Sequence, residues 1–124
     1  MEKTKKPFTK EDHKAVDLFV ELGMPRNLAK TLIFISKVDE ARSDDIEKAT
    51  NLRQPEVSIA VRELARRGWT TTREQKKQGK GRPVHIYKLT NNLSEIVKDF
   101  EQEKHQQIQD IQQNLNDLEA LLIE

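Results

Sequence analysis

Residues 52–89 read LRQPEVSIAVRELARRGW, TTTREQ, KKQGKGRP and VHIYKL in succession, and this stretch decides the fold. Pro55 is suited to the first turn of a helix, where its missing N–H would have had no partner. One apolar face then follows at helical spacing, made by Val57, Ala60, Val61 and Leu64. Gly68 can end the helix, because glycine readily adopts the left-handed conformation of a helix C-terminus. The pattern predicts a helix over about residues 55–67.

The opposite face of this predicted helix is polar and basic. It carries Ile59, Arg62 and Arg66, and it is flanked by Glu56, Ser58 and Glu63. A guanidinium at position 62 can form two parallel hydrogen bonds with guanine O6 and N7. A helix that buries one side and presents arginines on the other is suited to an anionic partner.

Two segments rich in β-branched and aromatic residues follow, at 69–73 and 84–89, and they predict the strands of a hairpin. The loop between them, residues 74–83, carries four cations, Lys76, Lys77, Lys80 and Arg82. A basic hairpin directly after an arginine-faced helix is the arrangement of a winged helix-turn-helix. We expect the helix to enter a DNA major groove and the wing to rest on phosphate or in the minor groove. A solvated loop beside a core helix is the alternative.

An amphipathic helix is predicted over residues 9–22. Thr9 can cap it, because Asp12 three residues on completes an acidic variant of the capping box. Its buried face is expected to consist of Ala15, Leu18, Phe19 and Leu22, and Gly23 should end it. The preceding residues 1–8 are expected to form a flexible basic arm.

Two further helices complete the predicted domain. Residues 25–38 include TLIFIS, which is apolar on nearly every side and should form the centre of the core. After a polar link, Ser43 can cap a short helix over residues 44–50. Asn51 and Leu52 then make the turn into the arginine-faced helix. Residues 9–92 are therefore predicted to be a mainly α winged helix-turn-helix domain with a small β-hairpin.

From residue 93 the sequence predicts a long C-terminal helix of about 30 residues. Its later apolar positions recur at spacings of three and four, which is typical of a coiled coil. Alone, such a helix would expose its leucines, so we expect it to pair with a second copy in preference to folding back. The expected dimerisation residues are Phe100, Ile108, Ile111, Leu115, Leu118 and Leu122. Parallel and antiparallel packing both remain open.

The charge distribution also separates the chain at this point. Residues 93–124 contain eight acids and two bases, a net charge of −6. Because the whole chain carries +1, residues 1–92 carry +7. A basic domain with an acidic appendage is typical of a nucleic-acid-binding domain joined to an interaction segment.

No pattern for catalysis, a cofactor or a metal ion is present in the sequence. The chain has no cysteine, which excludes disulfides and thiolate ligands, and its three histidines lie far apart. The glycines of residues 79–81 lack the strand-to-helix context of a phosphate loop. We therefore expect neither enzymatic activity nor a cofactor. No secretory signal and no apolar run of about 20 residues is found, so we expect a cytoplasmic protein without a membrane partner.

QPEVSIAVRELARRGW at 54–69 and KKQGKGRPVHIYKLT at 76–90 resemble the recognition helix and wing of MarR and TrmB-like winged-helix transcriptional regulators, of the compact kind frequent in archaea. The resemblance covers about residues 12–92. It implies base-edge contacts from Gln54, Glu56, Ser58, Ile59 and Arg62, and a minor-groove contact from Arg82. It also implies a homodimer that binds inverted repeats of double-stranded DNA and represses or activates transcription.

The leading interpretation is thus a homodimeric, sequence-specific transcription regulator, with Arg66 and the wing lysines adding to DNA binding. The alternative is a protein-interaction module that docks onto a larger assembly. The four clustered wing cations favour DNA, because a protein-docking wing has no need of so many. Without cysteine or a histidine cluster, we expect regulation by a small-molecule effector, a partner or protein concentration.

Overall fold

The computed structural model describes residues 8–75 and 83–123, so the predicted basic arm lies almost wholly outside the described residues. The elements are α1 (Lys10–Glu21), α2 (Arg26–Ser36), β1 (Ala41–Arg42), α3 (Ser43–Thr50), α4 (Gln54–Arg66), β2 (Thr70–Gln75), β3 (Val84–Leu89) and α5 (Leu93–Leu122). The chain divides into two compact units, Met1–Asn92 (the head) and Leu93–Glu124. The predicted mainly α fold is confirmed.

The core of the head is built around α2. Seven of its 11 residues are buried, namely Leu28, Ala29, Thr31, Leu32, Ile33, Phe34 and Ile35. The helices α1, α3 and α4 and the strand β3 all pack against it. The hydroxyl of Thr31 donates to the carbonyl of Asn27 at 2.8 Å, so this buried polar group is satisfied. The prediction of a central, nearly all-apolar helix is confirmed.

The predicted cap of α1 is present, but its predicted buried face is partly wrong. Asp12 accepts from the Thr9 N–H at 2.9 Å, and Thr9 Oγ1 accepts from the Asp12 N–H at 3.1 Å. Leu18 and Leu22, however, are 63% and 51% exposed. The helix buries Phe19, as predicted, and Val16, which was not predicted. The apolar residues of this helix form two overlapping stripes. The stripe that includes Val16 and Phe19 is the buried one, and α1 packs against α2.

An ion pair joins the start of α1 to the end of α2. Lys37 Nζ lies 2.6 Å from Asp12 Oδ2, and both side chains are mostly buried. Burial alone would raise the pKa of Asp12, but the hydrogen bonds from Lys37 and Thr9 outweigh it, and the pKa is lowered. The carboxylate therefore stays charged and fastens the two helices together.

The turn between α3 and α4 completes the helix-turn-helix. Asn51 adopts the left-handed conformation, with φ of 60°, which asparagine tolerates better than most residues. Its N–H donates to the Glu47 carbonyl at 2.9 Å and closes α3. Leu52 is buried immediately after it. This tight reversal sets the direction in which α4 leaves α3.

A three-stranded antiparallel sheet follows the helices, in the order β1-β3-β2. The two hairpin strands were predicted, and Thr72 pairs with Tyr87 at their centre. The strand β1 was not predicted. It has only two residues, Ala41 and Arg42, and Ala41 pairs with Tyr87. A segment of two residues is too short to show the alternation of a strand in the sequence. It is a strand because it pairs with β3.

The second unit is the 30-residue helix α5. At about 1.5 Å per residue it extends roughly 45 Å. Hydrogen bonds between residues four apart support it, as from Gln106 to Asp110 at 3.0 Å and from Gln113 to Asp117 at 2.9 Å. Every described residue from His105 onward is exposed. Among the described helices, none combines the length and the apolar character that a membrane span requires.

Candidate nucleic-acid interface

The position of α4 is fixed by its apolar stripe and by both of its ends. The predicted stripe is buried in full. At the start, Glu56 Oε1 accepts from the Arg53 N–H at 2.9 Å, which satisfies one of the free N–H groups of the first turn. At the end, Gly68 has φ of 79°, and the Trp69 N–H donates to the Leu64 carbonyl at 3.0 Å. This six-to-one bond is the Schellman ending that glycine permits.

The side of α4 opposite the buried stripe is its outward face, and a polar row runs along it. The row consists of Gln54, Ser58 and Arg62, each four residues apart, with Gln54 and Arg62 exposed. Arg62 Nη2 donates to Ser58 Oγ at 3.2 Å. Within residues 8–75 and 83–123, no carboxylate forms an ion pair with Arg62. Its guanidinium is therefore held along the helix while its charge remains available to an external anion.

Arg66 lies on the same face but is held differently. Its Nε and Nη2 atoms lie 2.8 Å and 2.5 Å from the two carboxylate oxygens of Glu63. Arg67 Nε lies 3.0 Å from the same carboxylate. The hydrogen bond from Arg66 is the largest cause that lowers the pKa of Glu63, to about 2. Glu63 is thus ionised at neutral pH and neutralises much of the charge of both arginines.

Glu56 and Ile59 occupy the edge of the outward face toward α2. Glu56 is exposed, yet its carboxylate caps the helix. Ile59 is 65% exposed. Beside it lies a cleft of about 360 Å³ between α4 and the start of α2, with Leu28 and Ala60 in its wall. Of these two predicted base-edge residues, Glu56 therefore already accepts a hydrogen bond within the head, whereas most of the Ile59 side chain is exposed.

The sequence reasoning missed Arg53 as a candidate contact. It precedes α4 directly and is exposed, and its guanidinium has no carboxylate partner in the described part of the chain. A cation immediately before the predicted recognition helix was the signal that could have identified it.

The base of the wing is described, and its tip is not. The predicted DNA-binding residues Lys76, Lys77, Lys80 and Arg82 lie outside the described residues. Gln75 of β2 pairs with Val84 of β3, so the hairpin ladder reaches both ends of that segment. Near the base, Arg73 Nη2 lies 2.8 Å from Glu40 Oε1, which joins β2 to the segment before β1.

Trp69 contributes packing at the base of the hairpin. It is buried, and the guanidinium carbon of Arg67 lies 4.9 Å from its ring centroid. The Thr90 N–H donates to the Trp69 carbonyl at 2.8 Å, where the hairpin closes. A ring covered in this way has no free face for a nucleic-acid base.

Comparison with solved structures shows that this is the fold of winged-helix DNA-binding proteins. The chain is similar to TrmBL2, an archaeal chromatin protein whose structure shows a novel mode of DNA binding, at 18% identity and a TM-score of 0.53 over 91% of this chain. It is also similar to a "possible transcriptional regulator" from Methanosarcina mazei Go1, at 20% identity and a TM-score of 0.51 over 88% of this chain. The matches cover 43% and 78% of those two chains, so this protein spans less than half of TrmBL2.

No family model and no curated protein matches the sequence. At 18–20% identity the structural likeness establishes the fold. The predicted resemblance to TrmB-like winged-helix proteins is therefore confirmed for the fold.

Proposed function

We propose that this protein is a sequence-specific, double-stranded DNA-binding transcriptional regulator that acts as a homodimer. The observation that carries the proposal is the outward face of α4. This face presents a row of hydrogen-bonding side chains ending in Arg62, which forms no ion pair with any carboxylate of the described residues 8–75 and 83–123. A helix in this position of a helix-turn-helix enters the major groove, where base edges are distinguishable.

In this proposal α4 reads sequence. Arg62 donates two hydrogen bonds to guanine O6 and N7, and Gln54 pairs with the N6 and N7 of adenine. Arg53, just before the helix, binds backbone phosphate and fixes the register. Arg66 and Arg67 contribute less than their charge suggests, because Glu63 holds both of them.

The wing and the net charge supply affinity. Lys76, Lys77 and Lys80 contact phosphate, and Arg82 reaches into the minor groove. Residues 1–92 carry +7, which favours association with a polyanion and makes binding salt-dependent. The DNA binding described for TrmBL2, on a similar fold, supports the same partner.

Dimerisation takes place through α5. Ile108, Ile111, Leu115, Leu118 and Leu122 are 54–72% exposed in the single chain. Five such residues in one seam are stabilised when a second copy covers them. Phe100 is only 4% exposed, so the proposed interface rests on the other five. Two heads related by a two-fold axis would then bind an inverted repeat.

The test is selection from randomised duplex DNA by the purified full-length protein, with sequencing of the retained fraction. We expect one enriched motif with inverted symmetry, bound at least about a thousandfold more tightly than random duplex. A protein with Arg62→Ala is the matched control, and it should enrich the motif poorly. Retention of DNA without any enriched motif would reduce the protein to a non-specific binder. No retention at all would favour the protein-interaction module.

A further inference from the structure

Ile59 is the most exposed large apolar side chain among the described residues of the head. It lies on the outward face of α4, three residues before Arg62 and four after Pro55. Isoleucine is β-branched and therefore a poorer helix former than leucine or alanine. Ile59 therefore adds little to the core or to the stability of the helix, and most of its side chain is accessible to an external contact.

We infer that Ile59 contacts the C5-methyl group of a thymine and makes that base part of the recognised sequence. The inference rests on the proposed function and adds to it the base that an apolar side chain selects. In the major groove, the base edges present hydrogen-bonding atoms and one apolar group, the thymine methyl. An exposed aliphatic side chain on a DNA-facing helix is therefore complementary to that group.

The spacing of Ile59 and Arg62 sets where the thymine lies. Three residues correspond to a rise of about 4.5 Å along the helix axis. Successive base pairs are about 3.4 Å apart. The thymine contacted by Ile59 therefore lies within about two base steps of the guanine contacted by Arg62. The selected motif should contain this pair in each half-site.

The cleft beside Ile59 is a possible binding site for a molecule other than DNA. An apolar molecule or a partner protein seated against Leu28 and Ala60 would also cover the isoleucine. Charge favours DNA, because Arg62, one turn further along the same face, has no carboxylate ion pair in the part of the chain that the structure describes. Two carboxylates, those of Glu56 and Glu63, also line the cleft. Each already accepts a hydrogen bond within the protein, from the Arg53 N–H and from Arg66 respectively.

The contact between Ile59 and the thymine methyl group can be tested by changing single chemical groups in the selected duplex. The full-length protein is used throughout. Replacing each thymine with deoxyuridine removes only the methyl group, and replacing each guanine with 7-deazaguanine removes only the N7 acceptor. At one thymine, wild-type protein should lose about fourfold in affinity, the contribution of one buried methyl-sized group. Ile59→Ala should bind the thymine and deoxyuridine duplexes equally and should still lose affinity on 7-deazaguanine DNA.

The matched control is Leu18→Ala on α1, which removes an aliphatic side chain of nearly equal exposure. It should retain the wild-type preference for thymine. The inference is overturned if no thymine is sensitive to deoxyuridine, or if Ile59→Ala keeps the preference. In either case an enriched motif would leave the regulator function standing. The absence of any enriched motif would remove the proposed function, and this inference with it.

Discussion

Arg62 Nη2 donates a hydrogen bond to Ser58 Oγ, one turn earlier on α4, at 3.2 Å. The bond directs the guanidinium along the helix toward its N-terminus, the direction in which helical side chains already lean. A side chain held before binding loses less conformational freedom when it meets its target. Ser58 therefore positions the arginine that we expect to read DNA.

Removing the Ser58 hydroxyl should weaken specific binding without abolishing it. We expect Ser58→Ala to lower affinity for the selected duplex by about 0.5–1.5 kcal/mol, the usual contribution of one hydrogen bond. Ser58→Thr keeps the hydroxyl and should lose less. Fluorescence anisotropy titrations on labelled duplex would measure both. Equal losses for the two variants would mean that the hydroxyl does not position Arg62.

The Glu63 carboxylate should limit non-specific DNA binding, because it holds Arg66 and Arg67. Glu63→Gln removes that charge and with it the ion pairs to both guanidinium groups, so the positive charge of Arg66, which is the more exposed of the two, acts more strongly on phosphate. We expect tighter binding to random duplex and a steeper salt dependence, by roughly one log unit of slope per added phosphate contact. Titrations over a range of salt concentrations measure this slope.

The control for this prediction is Glu21→Gln on α1. It changes the net charge by the same amount, and Glu21 has no ion pair among the residues described. It should leave the salt slope close to that of the wild type. Similar effects of both substitutions would show that total charge matters, and not the loss of the two ion pairs with Glu63.

The wing lysines should supply affinity without selectivity. Lys76→Ala combined with Lys77→Ala should weaken binding to the selected and the random duplex by similar factors, because phosphate contacts carry no base information. The dependence of affinity on salt should also become shallower. Paired titrations on both duplexes measure the two quantities. A loss confined to the selected duplex would instead give the wing a role in base recognition.

The α5 seam should hold the dimer together. Leu115→Glu with Leu118→Glu places charges at two seam positions, where a partner helix would have to desolvate them. We expect a monomer by multi-angle light scattering, with the wild type a dimer. Gln113→Glu with Asn116→Glu adds the same charge away from the seam and should leave the dimer intact. A wild-type monomer, or a seam variant that stays dimeric, would contradict the proposed interface.

Helix boundaries and buried faces could be predicted from the sequence where the local residue pattern and the packing of the folded domain favour the same arrangement. The buried stripe of α4, its glycine ending and the central position of α2 follow from periodicity and composition. The face of α1 could not be predicted, since two overlapping apolar stripes compete and only the contact with α2 decides between them. The strand β1 depends wholly on pairing with β3, and two residues carry no signal of their own.

The sequence predicted which residues form the candidate site, but not which hydrogen-bond or ion-pair partner each side chain has. Arg62 and Arg66 look equivalent in the sequence, as outward arginines four positions apart. Their difference arises from Glu63, which lies close enough to Arg66 for two hydrogen bonds, while Arg62 contacts Ser58. Such local partner choice depends on rotamers, which a pattern of residue types does not contain.

The most direct test of sequence reading by α4 is the affinity of Arg62→Ala for the selected duplex and for random duplex, measured side by side. We predict a loss of about 1–3 kcal/mol on the selected duplex and far less on random DNA. Loss of the bidentate contact should relax selectivity at one guanine. Equal losses on the two duplexes would contradict the account, because α4 would then hold the DNA backbone without reading its sequence.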